Sequence, residues 1–302
     1  MTAVVRPSLA WGGVLLAGLL WGIGAIVAQS VMQSGMSAYS LSLARFALGL
    51  PLLWLWHIRQ NAGKTENVAW AGLSMRNRRL ILFTGLAMAL NVTCWFAGIE
   101  LIGATLPTVI SICCAPVLVA IFSVLRGYEP LSGRLLTGLG FSVAGVALIV
   151  VTKEFDLPAN YALGLVWSFA SAALYAVVVL GNARMPKEVP ATTVSAWSMT
   201  AATVFMAVVS AVRGIDMPST TVVWLQVGYT GVVTTSVAYL AFSWGARNLP
   251  PTSAVVGTLV EPVAAAVLAA WIWNQPLTGQ QYLGAALLAS AMWVLSAGAK
   301  SR

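Results

Sequence analysis

Charge is what this 302-residue chain has least of. Asp, Glu, Lys and Arg together make up 8% of it, against about 25% in soluble domains. Apolar residues make up 59%, and the mean hydropathy is +0.87. A water-soluble domain of useful size is excluded. Histidine is nearly absent: only His57 is present, which rules against a His-based metal site. Three cysteines, Cys94, Cys113 and Cys114, fall inside apolar runs with neither metal-like spacing nor a disulfide framework; they read as small packing residues. Acids are too few and too scattered for general acid–base work, and neither a metalloprotease helix motif nor a nucleophile elbow is present. No metal or cofactor is expected. Gly63-Lys64-Thr65 resembles the tail of a phosphate-binding loop, but Ile58 stands where a glycine is required.

What the chain does have is long apolar runs. A bilayer-crossing helix needs about 20 apolar residues. Cut at charges and turn residues, the runs give ten spans: 9–30, 38–56, 80–99, 104–125, 135–151, 162–180, 192–212, 222–243, 252–273 and 279–298. Short alternating segments, the mark of a membrane barrel, are missing. Helix is the expected state, because a segment in lipid must satisfy its own backbone. The expected fold class is an all-α polytopic membrane protein.

The net charge of +8 might suggest nucleic acid in a soluble protein; here the basic residues sit in loops and orient the chain. Arg6, Arg59, Lys64, Arg76, Arg78, Arg79, Arg126, Arg134, Arg184, Lys187, Arg247, Lys300 and Arg302 fall on the N-terminal side of ten spans; only Lys153 and Arg213 fall on the other. This bias predicts both termini in the cytoplasm of a bacterial cell, with the protein in the inner membrane.

The chain also repeats itself. Around the fourth span stand Ala115-Pro116, Glu129-Pro130-Leu131-Ser132-Gly133 and Gly138; around the ninth stand Glu261-Pro262, Gln275-Pro276-Leu277-Thr278-Gly279 and Gly284. From Pro116 to Gly138 the offset is constant. Residues 1–155 and 156–302 therefore read as two five-helix repeats. Five is odd, so the copies lie in the membrane with opposite orientation, the inverted-repeat plan of secondary transporters, with the site near the midplane. Pro116 and Pro262 fall at mirror depths and are candidate hinges, since each frees a backbone carbonyl there.

Arg45 and Glu261 are the charges expected well inside spans, with heights differing by about 6 Å at 1.5 Å per residue. Such charges usually face the interior and pair. A purely structural ion pair, a substrate contact and a proton-responsive carboxylate remain open. Polar and aromatic stripes give the other candidate substrate-binding residues: Trp21, Asn91, Trp95, Ser111, Trp167, Ser171, Tyr175 and Tyr239. Small polar residues on spans are also common helix–helix glue. Other tryptophans, among them Trp11, Trp54, Trp56 and Trp70, fall near span ends and read as interface belts.

Leu20-Trp21-Gly22, Leu43-Ala44-Arg45-Phe46, Ala115-Pro116, Glu129-Pro130-Leu131-Ser132, Val237-Ala238-Tyr239, Glu261-Pro262-Val263 and Pro276-Leu277-Thr278-Gly279 resemble, in order and spacing, the drug/metabolite transporter superfamily of EamA type. Within it the sequence is most similar to the YddG aromatic amino acid exporter group. Gln275 departs from the pattern, which often has a glutamate there. The resemblance implies ten spans, an inverted repeat, a central cavity, and export of amino acids or related metabolites by alternating access. Expected partners are a small solute, the lipid bilayer and, through Glu261, protons; nucleic acid is not expected. A multidrug or nucleotide-sugar carrier is the nearest alternative, an intramembrane lipid-modifying enzyme or a non-transporting sensor the more distant ones.

Overall fold

A computed structural model describes residues 7–62, 70–102, 105–150, 161–272 and 277–299. The 151–160 junction, where the boundary between halves is expected, and the Gln275-Pro276 turn lie outside the described residues. Among those residues the fold is all helical. Helices α1 (Pro7–Gln33), α2 (Ala38–Asn61), α3 (Met75–Ile102), α4 (Thr105–Leu125) and α5 (Gly133–Val150) form the first half. Helices α6 (Tyr161–Ala183), α7 (Ala191–Arg213), α8 (Thr221–Tyr229), α9 (Ala238–Ala246), α10 (Pro251–Thr258), α11 (Val260–Ile272) and α12 (Gly279–Ala299) form the second. A π-helical stretch, Thr230–Val237, joins α8 to α9 without interruption. Taking α8 to α9 as one rod and α10 with α11 as another gives ten rods, the expected number. Six are long and apolar enough to cross a bilayer by length and composition.

Two of the ten rods depart from a regular α-helix. The ninth is interrupted: α10 stops at Thr258, and Leu259 takes φ −69°, ψ 2°, well off the helical ψ near −42°. Pro262 explains it, because it has no N–H for the Thr258 carbonyl and its ring crowds that carbonyl. The eighth span is helical throughout but not α-helical throughout. In the π stretch, Thr235 Oγ1 and Ser236 Oγ donate to the carbonyls five residues back, Thr230 and Gly231, at 2.9 and 3.3 Å.

The repeated Leu-Ser-Gly and Leu-Thr-Gly turns have the same physical job. Ser132 Oγ accepts from the Leu135 N–H at 3.2 Å at the start of α5. Thr278 Oγ1 accepts from the Gln281 N–H at 3.3 Å at the start of α12. Each hydroxyl satisfies one of the orphan donors at a helix N-terminus.

Packing repeats as well. α3 runs along α6, and α1 along α9; α4 lies on α6, and α1 on α10 and α11; α2 faces α7, and α5 faces α12. Exchanging every helix for its counterpart in the other half reproduces this set. The α1 contact is very close. A Cβ on Gly22 would stand 2.6 Å from the Glu261 carbonyl oxygen, and one on Gly18 2.7 Å from that of Thr258. Glycine at these two places lets α1 lie directly on the broken rod. On the other side, α2 meets the π stretch through Gly49, whose added Cβ would be 2.5 Å from the Gly231 carbonyl oxygen.

Candidate functional site

These contacts leave a cavity of about 170 Å³ between the halves. α1 contributes Trp21, Gly24 and Ala28; α2 contributes Arg45; α3 contributes Met88, Asn91, Trp95 and Phe96. Ser111 and Ile112 of α4 complete the first-half walls. The second half supplies Ser171 and Tyr175 of α6, Thr234 of the π stretch, and Val255, Thr258, Leu259, Glu261 and Pro262 around the helix break.

One wall is a small polar network. Asn91 Nδ2 donates to the Ser171 carbonyl at 2.8 Å and to Ser171 Oγ at 2.9 Å. Ser111 Oγ lies 2.9 Å from Ser171 Oγ. Three helices, α3, α4 and α6, are thereby tied at the cavity edge. Asn91 and Ser171 come from stripes on different halves, so no local pattern could have shown that they meet.

A second part of the lining holds the guanidinium. Arg45 Nε donates to Thr235 Oγ1 at 3.1 Å, and Nη2 to Thr234 Oγ1 at 3.4 Å. Thr234 Oγ1 also donates to the Thr230 carbonyl at 2.6 Å, and Trp21 Nε1 donates to the Thr234 carbonyl at 2.9 Å. The π stretch thus positions both Arg45 and Trp21. Tyr175 OH lies 3.1 Å from Thr258 Oγ1 at the end of α10. Behind this aromatic side stands Phe242, its ring centroid 5.4 Å from Trp21 and 6.3 Å from Tyr175.

Glu261, in the first turn of α11, faces the same space. It and Arg45 act on one another electrostatically, but among the described residues no hydrogen bond or contact ion pair joins them. The structural ion pair, one of the readings the sequence left open, is not a direct contact here.

Of the candidates read from the sequence, Trp21, Arg45, Asn91, Trp95, Ser111, Ser171, Tyr175, Glu261 and Pro262 line the cavity. Three do not. Tyr239 is 1% exposed and accepts from Ser198 Oγ at 3.3 Å, bracing α9 against α7. Trp167 is 38% exposed on the outer surface, a place that suits a lipid-facing aromatic. Pro116 sits within unbroken α4. Thr234 and Thr258 were missed; for Thr258 the available hint was a hydroxyl one helical turn before Pro262.

A protein-family model for the EamA-like transporter family matches residues 9–151 and again residues 162–297. The chain belongs to the EamA-like transporter family. Among relatives of this family member, an uncharacterised inner membrane transporter of Salmonella typhimurium, YicL, is 24% identical over 96% of the chain and 95% of its own length. An uncharacterised transporter of Bacillus subtilis, YwfM, is 25% identical over 96% of the chain and 94% of its own. A solved crystal structure superposes with a TM-score of 0.82 at 17% identity, covering 97% of this chain and 98% of the other. That likeness concerns the fold. The family makes this a multi-pass membrane transporter, with a small-molecule substrate and the bilayer as its surroundings.

Proposed function

We propose that the protein exports amino acids and related small metabolites across the bacterial inner membrane by alternating access. The observation that carries this reading is the cavity, walled by both halves and sized for one small solute. A cavity of roughly 150 Å³ accepts a benzene molecule, so 170 Å³ suits an amino acid and is cramped for a nucleotide sugar. The aromatic lining supplied by Trp21, Trp95, Phe96 and Tyr175 is in keeping with the likeness to aromatic amino acid exporters.

In this reading residues 1–155 and 156–302 are inverted repeats. The double family match and the exchangeable packing pairs support it, as does the basic bias that puts both termini in the cytoplasm. Rocking of the two halves would expose the cavity to one side and then the other, with the helix break before Pro262 as the bending point.

The test is flux of labelled amino acids into and out of liposomes holding the purified protein. The expected result is movement above empty liposomes for at least one amino acid. No movement of any would reject the substrate class. A rate unchanged by an imposed pH gradient would identify a facilitator, and a faster one a proton-coupled carrier.

A further inference from the structure

The cavity wall carries two charged side chains, Arg45 and Glu261, and they are held differently. The Arg45 bonds to Thr235 and Thr234 orient the guanidinium without neutralising it. Glu261 accepts no hydrogen bond and makes no contact ion pair among the described residues. The two charges line the same cavity and act on each other electrostatically, with no hydrogen bond or contact ion pair between them among the described residues. A charge at bilayer depth is costly and normally pairs. Two opposite charges that could pair but are held apart leave room for a solute that pairs with both.

Resting on the transport reading above, we propose that the cavity recognises a zwitterion. An α-amino acid would lie with its carboxylate on the Arg45 guanidinium and its ammonium on the Glu261 carboxylate. Its side chain would pack on Trp21, Trp95 and Tyr175. Other charge classes fit less well. A lipophilic cation satisfies Glu261 and repels Arg45. An organic anion does the reverse. A proton neutralises Glu261 and leaves Arg45 uncompensated. A zwitterion answers both charges and adds none to the membrane interior. Arginine suits the carboxylate end because its planar fork matches carboxylate geometry. The two threonines hold that fork facing the cavity.

The test uses the full chain in liposomes with labelled L-alanine, L-threonine, L-leucine and L-phenylalanine. For whichever is carried, its methyl ester, which lacks the anion, and its N-acetyl form, which lacks the cation, serve as competitors. Both should compete at least about tenfold more weakly than the free amino acid, since each forgoes a charge-assisted contact. Glu261→Gln should erase the penalty against the N-acetyl form and keep that against the ester; Arg45→Gln should do the opposite. Blocked forms that compete as well as the parent would overturn the proposal while leaving the transport reading intact. So would substitutions that weaken all three compounds equally in protein that remains monodisperse. If none of the four is carried, the substrate class itself fails, and the zwitterion with it. Where a variant does not fold, the comparison of analogues on the wild-type protein decides alone.

Discussion

The first five rods and the last five pack in matching pairs, yet their backbones differ where they meet the cavity. α4 carries Pro116 and stays continuous from Thr105 to Leu125. Its counterpart carries Pro262 and divides into α10 and α11 at Leu259. α3 is a single α-helix of 28 residues, whereas its counterpart opens into a π stretch of eight. One half offers straight walls with Asn91, Trp95 and Ser111 on them; the other offers irregular backbone that aims Thr234, Thr235 and Glu261. Irregular backbone at membrane depth survives where protein or a water-filled space surrounds it. Proline alone does not break a rod. Gly18 and Gly22 let α1 come within contact of the Thr258 and Glu261 carbonyls, so the broken segment has a neighbour to pack on.

The largest expected effect comes from restoring the missing N–H. Pro262→Ala gives the Thr258 carbonyl a donor and removes the ring clash, and proline inside a helix costs about 3 kcal/mol or more relative to alanine. α10 and α11 should fuse, turning Glu261 away from its present direction. Transport should fall at least about tenfold, a loss of roughly 1.4 kcal/mol in transition-state terms, in protein that is no less stable. Pro116→Ala, in a helix already continuous, should change the rate by less than about twofold. Equal losses of flux in both variants would remove the distinction drawn between the halves.

The next effect sharpens the contrast between the two polar walls. Thr235→Val takes from Arg45 its acceptor at 3.1 Å. A hydrogen bond to a charged group contributes about 1.5–3 kcal/mol, so the melting temperature of the detergent-solubilised protein should drop clearly. Ser111→Ala removes one neutral bond to Ser171 and should cost about 0.5–1.5 kcal/mol. If Ser111→Ala is the more damaging, the π stretch is not what organises the site.

The sequence made the helical rods legible because lipid leaves no other state for an apolar run. It also showed the Pro116/Pro262 repeat and the paired turns, since Ser132 and Thr278 act locally, three residues before the amides they cap. It could not show that Pro262 breaks its rod and Pro116 does not, because the difference lies in what packs alongside. Tyr239 and Trp167 read as cavity residues by type and spacing. Which way each points is settled by Ser198 and by the lipid-facing surface, and neither is visible in one helix's pattern. The tryptophans near span ends were read as interface belts. Trp54 and Trp70 also meet Trp197, with ring centroids 4.9 and 4.2 Å apart, a contact between elements far apart in the chain that the pattern of one helix does not show.

The smallest effects concern the ends of the molecule, where each half caps a helix of the other. Glu129, from the turn after α4, accepts the Thr252 N–H of α10 at 2.9 Å and is 8% exposed. Its loss in Glu129→Ala should cost about 0.5–2 kcal/mol, the range for a missing helix cap. Asp216, from the loop after α7, accepts the Ser37 N–H at 2.8 Å and Ser40 Oγ at 3.3 Å at the start of α2. Hydrogen bonds from Ser37 foremost, and from Ser40, hold its carboxyl below the usual carboxylate value. A carboxyl depressed in the folded state stabilises above its unfolded pKa, and that contribution is lost as pH falls through the folded value. The melting-temperature difference between wild type and Asp216→Asn should therefore be present at about pH 6 and close towards about pH 3, below the ordinary aspartate value near 3.9. Because this carboxyl is in water, the difference should be smaller than that of Glu129→Ala. A pH-independent difference would mean that Asp216 holds α2 by shape and not by charge.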